Sequence, residues 1–216
     1  GTGFNEGCVD TFSIDACVNA TVELIDQMSP DSATLLGHSM GTIVALKAYA
    51  MRPEKVHALI FSGGLPEPVR AIREKLNGRI EKISKSGMQG IGEEAMSGIF
   101  AAKTLSEKGQ LVGAYQRLLE LNTEAIYIES IRELVNASAS ELVGAVEVPC
   151  LAITGEEDRY ASPFDVEGFL KSIPHETNME VFENCGHMIF CEAPNRLYDR
   201  VINFLQALDS DWDYTY

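Results

Sequence analysis

The chain has 216 residues, 45% of them apolar and 23% charged, which suits one globular domain with a sizeable core and room for an inserted lobe. Its 17 basic and 32 acidic side chains give a formal net charge of −15, a field that repels phosphate backbones and anionic lipid heads and argues against nucleic-acid or membrane-surface partners. The longest apolar runs, such as VHALIF and CLAIT, are too short to span a bilayer.

In chain order, SIDACVNATVELIDQM places Ile14, Cys17, Val18, Val22, Ile25 and Met28 at helical spacing, with Ser13 as N-cap. SPDS breaks this helix, and ATLLGH reads as a short buried strand. A second helix runs from Met40 to Met51 and is stopped by Pro53, and VHALIFSGG follows as a buried strand ending in a glycine pair. Helix, strand, helix, strand is the order of a parallel α/β sheet.

From residue 65 to residue 144 strand-like runs vanish. Val69, Ile72, Leu76, Ile80 and Ile83 mark one apolar helical stripe, with Gly78 expected to kink it. Tyr115, Leu118 and Leu119, then Ile128, Ile131, Leu134 and Val135, mark further helices. GMQGIGEE lacks the preceding strand and the lysine of a phosphate loop, so it reads as a flexible joint. Val69 to Lys85 carries six basic and two acidic residues, read as a solvated outer face rather than a groove for anions.

Strand character returns at VEVPCLAITGEED, introduced by Pro149. A helix is predicted from Phe164 to Ser172, a last strand in NMEVFENCGH, and a closing helix in NRLYDRVINFLQAL with Leu197, Val201, Phe204, Leu205 and Leu208 inward. The tail DSDWDYTY is expected to fray. The fold class is therefore α/β, a mostly parallel sheet with flanking helices. Residues 1–64 and 145–216 form its core, and residues 65–144 an inserted helical cap.

Five cysteines, Cys8, Cys17, Cys150, Cys185 and Cys191, are odd in number and irregular in spacing, which favours reduced thiols in a cytoplasmic protein. Cys185 and Cys191 flank His187, but no second cluster completes a metal site, so no metal or other cofactor is expected. No signal-peptide pattern opens the chain, which starts GTGFNEG without a methionine.

Gly37-His38-Ser39-Met40-Gly41 fits G-x-S-x-G between a strand pattern and a helix pattern. A sharp strand-to-helix turn crowds the neighbours of its central serine, and glycines two residues to either side relieve that crowding. The turn raises the hydroxyl above the sheet edge and aims helix N–H groups at developing negative charge.

Ser39 then needs a base. His38 lies inside the turn and is expected to point away from the point of attack. His57 opens a strand and reads as structural, and His175 lies in the polar loop SIPHETN. His187, in NCGHMIFCEAP between the last strand and the last helix, is the candidate base. Glu156, Glu157 and Asp158 follow a glycine turn, and Asp158 is the acid best placed to orient the imidazole, with Glu157 in reserve. The order Ser39, Asp158, His187 is that of one specific fold. Tyr160 and Met188, beside the predicted acid and base, are pocket candidates ahead of Met88 and Met96, and His38 joins them as a substrate-binding candidate.

LLGHSMGT, VPCLAITGEEDRYASP, ENCGHMIFCEAPNRL and the FSIDACVNATVELID helix resemble, in order and spacing, the blocks of the α/β-hydrolase family in its esterase-like branch with a helical cap. The resemblance implies nucleophile Ser39, acid Asp158, base His187 and the Met40 N–H as one oxyanion donor. Thr42 stands where the family often has a third glycine, a change that tightens the helix start. The family also places strands and an HG-type loop, the source of a second oxyanion donor, ahead of the nucleophile, and GTGFNEG resembles its D-x-x-G-x-G loop. The resemblance thus implies a chain that is part of a longer fold, with an unpaired hydrophobic edge at residues 33–37.

The expected activity is hydrolysis of a small carboxylic ester, lactone or thioester through a Ser-His-Asp triad and an acyl-enzyme, with a small acyl compound as the substrate partner and the oligomeric state left open. The alternatives on the same fold are acyl transfer, C–C hydrolysis and haloperoxidase-like chemistry. A ligand-binding protein, or an incomplete fragment needing its other half, is the rival from outside enzymology.

Overall fold

The computed structural model describes residues 11–28 and 32–208. Four parallel strands lie side by side in the order β1 (Ala33–His38), β2 (Val56–Ser62), β3 (Cys150–Gly155) and β4 (Thr177–Phe182). Parallel neighbours need crossover connections, and the intervening helices supply them. Side chains alternate across the sheet. Leu59, Phe61, Cys150 and Ala152 enter one core with α1 (Ile14–Met28), α2 (Gly41–Met51) and α8 (Pro163–Leu170). Ala58, Ile60, Leu151 and Ile153 enter the opposite core, closed by α10 (Pro194–Leu208).

Local signals explain the element ends. Ser13 Oγ accepts the Ala16 N–H at 3.3 Å, and Ser162 Oγ caps α8 by accepting the Asp165 N–H at 3.2 Å. β2 and β3 are buried along almost their whole length. The apolar run ATLLGH reads as a buried strand, but β1 lies at the sheet edge, as the family resemblance implied for residues 33–37. Among the described residues it pairs only with β2, Gly37 is its one buried position, and Leu36 is 48% exposed. An edge strand has no neighbour to cover it on one side, and apolar sequence alone does not report that.

Between β2 and β3 the chain forms α3 (Arg70–Ser86), α4 (Gly92–Ile99), α5 (Ala102–Glu107), α6 (Gly109–Glu120) and α7 (Glu124–Asn136). The two ends of this insertion meet, since Pro66 O accepts the Ala139 N–H at 2.8 Å. Its interior holds Ile72, Leu76, Ile83, Met88, Ile91 and Ile131. α3 is one continuous helix through Gly78, which faces open space and needs no kink. The GMQGIGEE segment folds as a 3₁₀ turn leading into α4, anchored by buried Met88 and Ile91. Met28, Leu118 and Phe164, three residues predicted to fall in helices, are exposed, because α1, α6 and α8 each bury only one side. The expectations for GTGFNEG, for Cys8, for most of SPDS and for the tail DSDWDYTY fall outside the described residues.

Candidate active site

The strands end on a common edge, where His38 registers with Ser62 and Gly155 with Phe182. The loops leaving that edge carry the residues singled out in the sequence. Directly after β1, Ser39 adopts φ 53, a left-handed conformation worth roughly 1–3 kcal/mol of strain in a non-glycine residue. Its N–H donates to Ser62 O at 2.9 Å, and its carbonyl accepts the Thr42 N–H at 2.9 Å. A Cβ on Gly37 would stand 2.3 Å from Gly41 O, so the first elbow glycine is dictated by close approach. Gly41 is different: a Cβ there would meet nothing within 4 Å, because it lies beside the open side of β1. Thr42 is fully buried, and its hydroxyl donates to Gly37 O at 3.3 Å, bracing the turn.

Ser39 Oγ lies 2.9 Å from His187 Nε2. On the other side of the imidazole, Nδ1 lies 2.9 Å from Asp158 Oδ2 and 3.1 Å from Oδ1. An ionised carboxylate only accepts, so the ring proton sits on Nδ1 and Nε2 is left to accept from the serine. Both partners are withdrawn from water, with side-chain exposures of 7% for His187 and 0% for Asp158. Asp158 Oδ1 also accepts the N–H groups of Tyr160 at 2.8 Å and Ala161 at 3.0 Å, which fixes the carboxylate in place. Gly63, at φ +55, leaves room for this pair, since a Cβ there would stand 3.0 Å from Asp158 Oδ2 and 3.3 Å from His187 Nδ1.

The neighbouring acids are used elsewhere. Glu157 Oε2 accepts the Ala102 N–H at the start of α5, and Glu156 Oε2 accepts the Asn184 N–H. His57 is satisfied by Ser32 and Thr34, and His175 is exposed. His38 departs from expectation: it faces the site, its ring 5.0 Å from His187 and 4.9 Å from Phe190. Burial, with the charge of a protonated His187 second, lowers its pKa to about 4, so it is neutral at physiological pH.

A cavity of about 280 Å³ opens at Ser39 and is bounded by His38, Met40, Tyr160 and Met188 on the sheet side. Arg79, Tyr115, Tyr127 and Ile131 bound it from the inserted helices. Met88 and Met96 pack in the cores of those helices instead. A smaller cavity that also reaches Ser39 runs past Gly63, Gly64 and Ala161.

Two residues escaped the sequence reading. Arg79 is buried at 6% exposure rather than solvated on an outer face. Glu192, buried at the end of α9 (Ile189–Glu192), accepts the N–H groups of Gly186 and Ala101, both at 2.8 Å. With the His187 N–H donating to Ile99 O at 2.8 Å, Glu192 ties the histidine loop to the α4–α5 junction. A lone acid amid MIFCEAP was the available signal.

Burial raises the thiols of Cys150 and Cys185 to about 12, which keeps them protonated. Among the described residues, no three His, Cys, Asp or Glu side chains converge as metal ligands, and no helix is long and apolar enough to cross a membrane.

The family model described as serine aminopeptidase, S33, matches residues 10–194. The chain belongs to this α/β-hydrolase family. It is 26% identical over 216 residues to a 2-hydroxy-6-oxononadienedioate/2-hydroxy-6-oxononatrienedioate hydrolase of a Pseudomonas species, covering 94% of this chain and 74% of that protein. It is 24% identical over 192 residues to a strigolactone esterase of Arabidopsis thaliana, covering 86% of this chain and 70% of that one. Among solved structures it resembles a thermophilic esterase from Thermogutta terrifontis, with TM-score 0.80 and 18% identity over 92% of this chain and 74% of the other. An enol-lactonase from Burkholderia xenovorans gives TM-score 0.76 at 16% identity, over 90% and 74% of the two chains. These likenesses establish the fold, a parallel sheet with flanking helices, and a hydrolase lineage.

Proposed function

We propose that the chain carries the active site of a serine hydrolase acting on a small carboxylic ester, lactone or thioester. The observation that supports this most is the continuous line from Ser39 Oγ through His187 to Asp158, set at the mouth of a largely apolar cavity. In this reading Ser39 attacks the acyl carbonyl as His187 Nε2 takes its proton. Asp158 holds the imidazole in the required tautomer and stabilises its charge.

The negative charge on the carbonyl oxygen is met by the Met40 N–H, at the N-cap of α2, where the first helical N–H groups have no intrahelical partners. His187 then returns its proton to the leaving group, and a water activated by the same nitrogen frees the acyl group. Helices α3 to α7 act as a cap, and the choice of acyl group resides in the cavity they close. His38, Tyr160 and Met188 form the sheet-side wall against the substrate. The free thiols support a reducing compartment, the cytoplasm.

The test is steady-state hydrolysis of p-nitrophenyl esters. Ser39→Ala is expected to lower kcat by at least about 10³-fold, while His175→Ala, on an exposed loop, leaves it unchanged. Equal turnover by Ser39→Ala and the parent chain removes the mechanism.

A further inference from the structure

Arg79 lies on α3 in the apolar interior of the cap, yet it is 6% exposed and borders the same cavity as Ser39. A buried guanidinium normally has a carboxylate partner, because desolvating an unpaired charge is costly. Among the described residues Arg79 has none. Its Nη2 donates to the Tyr160 hydroxyl at 2.8 Å, and the Tyr127 hydroxyl is a second neutral partner. Among the described residues its buried Nε has no acceptor.

Glu94, an acid that feels the charge of Arg79, is half exposed and already paired with Lys82 at 2.6 Å. Lys75, one turn before Arg79, adds positive charge, its ammonium 4.4 Å over the Tyr160 ring. Because the Tyr160 oxygen accepts from Arg79, its own proton is free to donate. Where Arg79 and Tyr160 meet, the cavity therefore presents donors and one buried cation, with Lys75 behind the tyrosine ring and not in the lining. Tyr160 also sets its place relative to the reacting centre, with its ring 4.9 Å from that of His187.

We infer that the cap cavity is a carboxylate subsite, in which Arg79 and the Tyr160 hydroxyl bind an anionic group carried by the acyl substrate. The inference deepens the hydrolase reading and rests on it for the position of the reacting bond. The net charge of the whole chain would repel such a substrate at long range, so recognition is by this local pair.

Calorimetric titration of the intact chain with glutarate and with neutral glutaramide tests it without requiring turnover. Glutarate is expected to bind about tenfold more tightly or better, as a charge-assisted hydrogen bond implies. Arg79→Met should erase that difference and Arg79→Lys restore part of it. The same ratio should appear in kcat/KM for p-nitrophenyl hydrogen glutarate against p-nitrophenyl pentanoate. A merely structural Arg79 would weaken both members of each pair alike. Glutarate binding no tighter than glutaramide in the parent chain overturns the proposal without recourse to any variant. Fluorophosphonate labelling run alongside separates the two ideas. Labelled Ser39 with no glutarate preference removes the subsite alone, and glutarate preference with no labelling removes the nucleophile alone.

Discussion

The carboxylate of Glu192 accepts the N–H of Gly186 at 2.8 Å, one residue before His187, and so the position of the proposed base is set from the far end of α9. Its other oxygen holds Ala101, at the start of α5, at the same distance. Glu192→Ala would leave two buried N–H groups without acceptors, at a cost of about 2–4 kcal/mol. Urea unfolding is expected to show that loss. Because the serine–histidine contact would loosen while the cavity walls remain, kcat should fall more than KM rises.

Asp158→Asn keeps the size of the side chain but exchanges an acceptor-only group for one that also donates. The tautomer with a proton on Nδ1 is no longer enforced, and kcat is expected to drop by about 10³–10⁴-fold. Glu157→Gln is the comparison. It weakens one hydrogen bond to the Ala102 N–H and should cost about 1 kcal/mol of stability with little effect on turnover.

His38 gives a pH signature. Its pKa falls to about 4 in the folded chain, through burial first and the charge of His187 second, against 6.5 for an ordinary histidine. The unfolded chain therefore binds the extra proton more readily. The stability contributed by neutral His38 is complete above the ordinary value and is lost as pH falls between the two. From about pH 7 to about pH 5 the loss is roughly 2 kcal/mol. Urea midpoints across that range should fall in the parent chain and flatten in His38→Asn.

Two glycines separate backbone need from backbone accident. Gly63→Ala forces φ +55 on an alanine and pushes its Cβ against Asp158 and His187, so it should cost about 1–3 kcal/mol and lower kcat. Gly78→Ala, in an exposed helix position with nothing within 4 Å, should instead stabilise by about 0.5–1 kcal/mol. Thermal melts of the two variants are expected to move in opposite directions.

These cases also show what the sequence made legible. The strand–glycine–serine–glycine–helix signal is local: the close approach of Gly37 to Gly41 O, which demands its first glycine, spans four residues, so it could be read without the fold. Asp158 and His187 were reachable because each follows a strand end, and parallel strands bring such ends to one edge.

Arg79 was misread by one position in the helical repeat. Ile72, Leu76, Arg79 and Ile83, spaced four, three and four, form the buried face of α3, and Ile80 lies at its flank. A charged residue at a core position of that repeat was the available signal, and the basic composition of the segment hid it. Met28 was assigned to the apolar stripe of its helix because periodicity reports which side chains could be buried, not what covers them.

The central claim is that Ser39 is a nucleophile activated by His187. Its most direct measurement is peptide mapping by mass spectrometry after treatment with a fluorophosphonate. A single adduct on the peptide holding Ser39, absent in Ser39→Ala and formed at least about 10³-fold more slowly in His187→Ala, is the expected result. An adduct on another residue, or undiminished labelling of Ser39 in His187→Ala, would contradict it.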